Sequence, residues 1–199
     1  MTQHLQAEQE ARRRFHEDVQ PHEKAEFIHG EIIHSSPDKR RHIHTVNRLI
    51  MLVGDWLDTS GHGGWISSEK GLVALTRNSY EPDFAYWGPQ KAARQDDNQE
   101  VFDAPDLIVE VLSPSTEKRD RGIKMEDYAL HSVAEYWLID TEDYRLERYL
   151  LGPDNRYGTA QVYGVHDSLT TDLLPELRLP VEKLFLPYKT LKGPVAPSD

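Results

Sequence analysis

Pro105-Asp106-Leu107-Ile108-Val109-Glu110-Val111-Leu112-Ser113-Pro114-Ser115-Thr116 is a run of β-forming residues with one carboxylate near its end, broken by Ser-Pro-Ser. Leu107 to Leu112 is almost wholly apolar, the pattern of a central strand covered on both faces. An acid inside such a strand is costly unless something pairs with it or binds it. Glu110 is therefore the first candidate functional residue. Four residues past Thr116 comes Asp120, then Lys124 and Tyr128 at further four-residue steps, which puts all three on one face of a following helix.

Working outward, Glu26 to Ile33 reads as a hairpin turning at His29-Gly30. Residues 42–58 carry Ile43, Val46, Leu49, Ile50, Val53 and Leu57 at helical spacing. His42 and His44 stand at the start of that segment, about 200° apart around a helix, so they do not share one metal there. Trp65 to Leu75 reads as two short strands or one bulged strand, and Tyr80 to Trp87 as another strand with Asp83 near its start. A helix from Thr116 to about His131, a strand Glu135–Asp140 and an antiparallel pair, Arg145–Leu150 with Arg156–Val165, follow. The remainder is expected to be irregular. This order predicts a mixed α/β (α+β) fold with a central mixed sheet, flanking helices and an N-terminal β-hairpin. Residues 1–20 read as a polar helix or extension, 21–186 as a single domain and 187–199 as a tail.

Composition narrows the function. The 199 residues carry a formal net charge of -11, which argues against a broad basic face for nucleic acid. Cysteine is absent, excluding disulfides and thiolate zinc sites. No apolar run approaches the roughly 18 residues of a membrane helix, and no secretory signal is seen at the N-terminus. A cytoplasmic protein without membrane contact is the simplest expectation.

Asp83 and Glu110 could meet at the ends of neighbouring strands. Two such carboxylates repel unless a proton or cation is shared. A hard cation such as Mg²⁺ accepts them, activates bound water and stabilises charge developing on a phosphate. Lys124 could orient that water or stabilise the oxyanion. Other readings stand beside this one. Pro105-Asp106 is a second Pro-Asp pair, Asp120 with Lys124 reads equally as an ordinary helical ion pair, and Glu31 as a charge at the hairpin edge.

Several segments together resemble the Uma-type family of restriction-endonuclease-like proteins, within the PD-(D/E)XK nuclease-like superfamily. They are Glu26 with Gly30-Glu31 and Ser36-Pro37; His42 before the amphipathic segment; Glu81-Pro82-Asp83; Pro105 to Thr116; Asp120 with Lys124 and Tyr128; Val133 to Asp140; and Leu174-Pro175-Glu176-Leu177. The resemblance implies a restriction-endonuclease-like core and a Mg²⁺-dependent (or Mn²⁺-dependent) endonuclease acting on DNA, expected as a homodimer. It implies metal binding by Asp83, Glu110 and Val111, with Lys124 and Glu31 completing the catalytic set. The chain departs from the superfamily in having Leu112 where a lysine follows the Glu, so Lys124 is expected to supply the amine from the next helix. A catalytically inactive binding or regulatory protein on this fold, and a metal-dependent hydrolase of another phosphodiester, are the alternatives.

Overall fold

The structure is a computed structural model, and it describes residues 2–20 and 23–185. In chain order its elements are α1 (Thr2–Asp18), β1 (Ala25–Ile28), β2 (Glu31–His34), α2 (Arg40–Ser60), β3 (Trp65–Ser67), β4 (Leu72–Ala74), β5 (Ser79–Tyr80), β6 (Phe84–Trp87) and α3 (Pro89–Ala92). Then come β7 (Val101–Phe102), β8 (Leu107–Val111), α4 (Glu117–Arg119), a π-helical turn (Asp120–Lys124), α5 (Met125–Leu130), β9 (Glu135–Asp140) and β10 (Arg145–Leu150). The last are β11 (Gln161–Gly164), β12 (Ser168–Thr171), β13 (Leu174–Pro180) and α6 (Glu182–Phe185).

The fold is mixed α/β, and its strands divide between two main sheets. One has six strands in the order β11-β10-β9-β8-β6-β3, with β8 and β9 parallel and the other pairs antiparallel. The other has five strands in the order β2-β1-β5-β4-β7. Its β1–β2 hairpin turns at His29 (φ 50) and Gly30 (φ 89), two positive-φ residues that match the right-handed twist of the strands.

β8 is buried along its whole length. Leu107, Val109 and Val111 face one way, against Val46, Leu49, Val53 and Trp56 of α2. Ile108 faces the other way, toward Tyr80, Tyr128 and Tyr136. The two-residue period of a strand puts Glu110 on that second face. Its polar head is thus delivered into a layer built largely of tyrosines.

Two sequence expectations change, and of the two readings of Trp65 to Leu75 the pair of short strands holds. Tyr80 to Trp87 is two strands, because Pro82 has no N–H for a ladder. The chain leaves the five-stranded sheet after Tyr80 and enters the six-stranded one at Phe84. Trp65–Ser67 and Leu72–Ala74 likewise belong to different sheets. The segment expected to be irregular forms the β12–β13 hairpin and α6, whose Leu169, Leu174, Leu179 and Leu184 close the core under α2. The tail from Pro187 lies outside the described residues. At the other end α1 docks through Phe15, which packs with Phe27 and Leu72, and through Arg77–Glu8 at 2.6 Å.

The helix expected after Thr116 forms with an interruption. Gly122 has non-helical dihedrals (φ -114, ψ -107), so the π-helical turn spans a kink between two helical pieces. Asp120 and Lys124 within it are both buried.

Candidate active site

Antiparallel pairing of β6 with β8 sets Phe84 opposite Val109 and Ala85 opposite Ile108. Extending that register by one residue sets Asp83 opposite Glu110. Their bonds lock the pair. Val111 N–H donates to Asp83 Oδ2 at 2.8 Å, and Asp83 N–H reaches toward Glu110 Oε2 at 3.4 Å. These two contacts tie each residue to the other across the paired strands, and both side chains line the same cleft. Both side chains are buried.

Lys124 lies between three acids. Its Nζ is 2.8 Å from Glu26 Oε1, 3.1 Å from Glu110 Oε1 and 3.3 Å from Asp120 Oδ1. Tyr128 Oη donates to Glu110 Oε1 at 3.2 Å. The four-residue steps Asp120, Lys124, Tyr128 thus meet at Glu110 despite the break at Gly122. Leu112 occupies the place of the in-strand lysine and lines the same cleft.

On the other side of the pair, Asp83 Oδ1 accepts from Lys24 Nζ at 2.6 Å and has His42 Nε2 at 3.3 Å. Glu81 Oε2 accepts from the Ala25 N–H at 2.8 Å and ties the start of β1 to the Glu81-Pro82-Asp83 corner. Lys24, Glu26, His42, Glu81, Asp83, Glu110, Asp120 and Lys124 line a cleft of about 430 Å³. At its mouth stand Lys39, Arg119 and the hydroxyls of Ser113, Ser115 and Thr116. Arg119 Nε is buried without a hydrogen-bond partner.

Two expected residues lie elsewhere or act differently. Glu31 begins β2, exposed, opposite Ile28 at the turn end of the hairpin, and does not line the cleft. Its place as the extra carboxylate is taken by Glu26, buried at the other end of β1. Asp106, the other Pro-Asp acid, sits at the far end of β8, where it accepts from Gly88 N–H at 2.8 Å and pairs with Lys91 at 2.9 Å. Glu26 carried the same signal as Glu110, an acid among apolar β-formers. Lys24 gave none, and His42 stood out only through the family resemblance, since their partner Asp83 lies far along the chain.

Electrostatics separate the two acids. Burial opposes ionisation of Asp83, but His42 beside it and the Lys24 charge outweigh it and hold this carboxyl well below its ordinary range. Glu110 goes the other way. Burial pushes it up to about 8, and Asp120, Asp83 and Glu26 add to this against the pull of Lys124. Burial also opposes the Lys124 charge, but Glu110, Glu26 and Asp120 raise its pKa well above the usual value, so it is a fixed ammonium.

Five buried carboxylates (Glu26, Glu81, Asp83, Glu110 and Asp120) and the partly buried Asp38 line this cleft with three lysines, two arginines and two histidines. Between Asp83 and Glu110 the facing donors are carboxylate oxygens, the kind a hard divalent cation prefers. Glu110 Oε2, with only the long contact to Asp83 N–H, is the least committed of the paired oxygens.

A family model described as "Putative restriction endonuclease", Uma2, matches residues 9–182, most of the chain. The chain belongs to this family. Among solved structures, the Uma2 chain is similar to one from Anabaena variabilis described as "a putative nuclease belonging to DUF820". The two share 18% identity with a TM-score of 0.69, over 81% of this chain and 89% of that one, which shows a common fold. A comparison with curated proteins gives no match. No helix among the described residues is long and apolar enough to cross a membrane.

Proposed function

We propose that this Uma2 protein is a divalent-metal-dependent endonuclease that hydrolyses DNA phosphodiester bonds. The observation that supports it best is the Asp83–Glu110 pair at the base of an open cleft, with the Lys124 ammonium 3.1 Å from Glu110. Asp83 and Glu110, with the main chain of Val111 beside them, would hold Mg²⁺ or Mn²⁺. When bound, the ion polarises the phosphoryl oxygen and lowers the pKa of a nucleophilic water.

The chain's own groups divide the remaining work. Lys124 keeps its proton, so it acts as a donor: it orients the attacking water and stabilises charge growing on the phosphate oxygens, and does not serve as the base. Tyr128 and Lys124 fix the Glu110 carboxylate from one side, leaving its other oxygen toward the cleft. Val111 N–H and Lys24 orient Asp83. Arg119 and Lys39, with no carboxylate partner among the described residues, are the cations available to grip backbone phosphates. These local charges reconcile a net-acidic protein with a polyanionic substrate.

Two cuts in a duplex need two sites, so we assign a homodimer in the cytoplasm as the working form. A catalytically inactive nucleic-acid-binding protein is the second reading, favoured by Leu112 in place of a lysine and by the neutralisation of Asp83 by Lys24. Incubating plasmid with Mg²⁺ or Mn²⁺ and comparing wild type with Glu110→Ala decides between them. Nicking or linearisation by wild type alone supports the nuclease. Cleavage that survives the substitution refutes the site, and no cleavage with intact DNA binding favours the second reading.

A further inference from the structure

Next to Asp83, at His42, another set of donors converges. The geometry points to a second metal site, for a first-row transition-metal ion of the Zn²⁺ class, held by Asp38, His42 and Glu69. One ligand atom from each lies within 4.8 Å of the others. Donors sharing an ion at ~2.1 Å bonds stand roughly 3–4 Å apart, so closure takes about an ångström of side-chain movement. Glu69 can supply it from the partly exposed turn between β3 and β4.

The histidine gives an independent reason. His42 is 6% exposed, and neither ring nitrogen completes a hydrogen bond of good geometry. Nδ1 faces Asp38 Oδ1 at 3.8 Å, while Nε2 faces Asp83 Oδ1 at 3.3 Å. A metal-bound histidine characteristically turns its other nitrogen to a carboxylate, which fixes the ring. Here that carboxylate would be Asp83. One imidazole with two carboxylates leaves a fourth tetrahedral position for water. The nitrogen donor also discriminates: imidazole favours Zn²⁺ and its neighbours over Mg²⁺, whereas Asp83 and Glu110 themselves offer only carboxylate oxygens. The inference stands whether or not that cleft cuts DNA.

The test is calorimetric titration of Zn²⁺ into the full-length protein in millimolar Mg²⁺, which occupies hard oxygen sites. The proteins are wild type, Glu69→Gln, Asp38→Asn and Glu110→Gln. Glu69 and Asp38 are only partly buried and their amides preserve shape, so both variants fold. The expected result is one Zn²⁺ per chain in wild type and in Glu110→Gln, with affinity at least tenfold weaker in Glu69→Gln and in Asp38→Asn. Co²⁺ in place of Zn²⁺ should give visible d–d absorption that Glu69→Gln abolishes. Absence of Zn²⁺ binding, or binding lost in Glu110→Gln and untouched in Glu69→Gln, overturns the site. Neither readout depends on cleavage, so failure of the nuclease reading is seen separately in the plasmid assay.

Discussion

Replacing Glu110 by glutamine should stabilise the metal-free protein while abolishing the DNA cleavage proposed for it. Glu110 titrates near 4.5 as a free side chain and near about 8 in the fold, chiefly because burial removes it from water. Between those values the unfolded chain gives up its proton and the folded chain holds it. The unfolded state therefore binds fewer protons, and stability falls as pH rises through that window. At ~1.4 kcal/mol per unit, the full shift corresponds to about 4 kcal/mol at pH 8 and under about 1 kcal/mol at pH 5. Neighbouring acids share part of this, so Glu110→Gln should recover about 2–4 kcal/mol at pH 8 and little at pH 5. The glutamine oxygen can still accept from Lys124 and Tyr128, and Lys124 keeps Glu26 and Asp120. The assay is urea unfolding of both proteins across pH 5 to 9 in EDTA, repeated with Mg²⁺. Mg²⁺ should stabilise wild type, by about 2.7 kcal/mol at a hundred times its Kd, and leave the variant unchanged. A stability difference that does not vary with pH, or a variant weaker than wild type at pH 8, would refute the account of Glu110.

Three further outcomes are expected. Lys124→Met removes the counter-charge from three buried acids and should cost about 3–5 kcal/mol in urea melts as well as all cleavage; a loss under about 1 kcal/mol would show that the ammonium is not the hub of the cluster. Arg119→Ala should weaken DNA binding, read by fluorescence anisotropy in EDTA, and reduce the salt slope by about 1, with unfolding unchanged; an unaltered slope would remove Arg119 from the phosphate contacts. Gly64→Ala should destabilise by about 2 kcal/mol or more, since its backbone is at φ +108 and a Cβ would meet Tyr86 Cε2 at 2.6 Å and the Trp87 carbonyl at 2.7 Å; a melting temperature equal to wild type would contradict the close approach of that loop to β6.

Much of the site was legible because its core rests on local patterns. Glu110 betrays itself as an acid among β-formers, and the steps from Asp120 to Tyr128 put Lys124 on the right face. The β1–β2 hairpin and α2 follow from turn chemistry and periodicity in the same way. What escaped depends on tertiary position. Lys24, just before β1, and His42, on α2, acquire their partner only when tertiary packing brings them to Asp83, 59 residues beyond Lys24. Glu31 and Glu26 are five residues apart on one hairpin, and only the direction of β1 relative to the cleft tells which end carries the acid of the site. The division of Tyr80–Trp87 between two sheets hung on Pro82, whose missing donor weighed less in the sequence than the apolar run around it. The β12–β13 hairpin is short and half exposed, with an alternation visible chiefly once its leucines are seen beneath α2.

The Glu81-Pro82-Asp83 corner has a consequence for the chain as it is made. Lys24 and Glu26 arrive with one sheet, Glu110 with the other, and Lys124 with the helix that follows it. Pairing of β6 with β8 is enough to set Asp83 beside Glu110, but no fragment ending before the π-helical turn carries Lys124, and neither sheet alone assembles the full set. The charges that oppose these two acids thus reach them only when the second sheet and the following helix have packed.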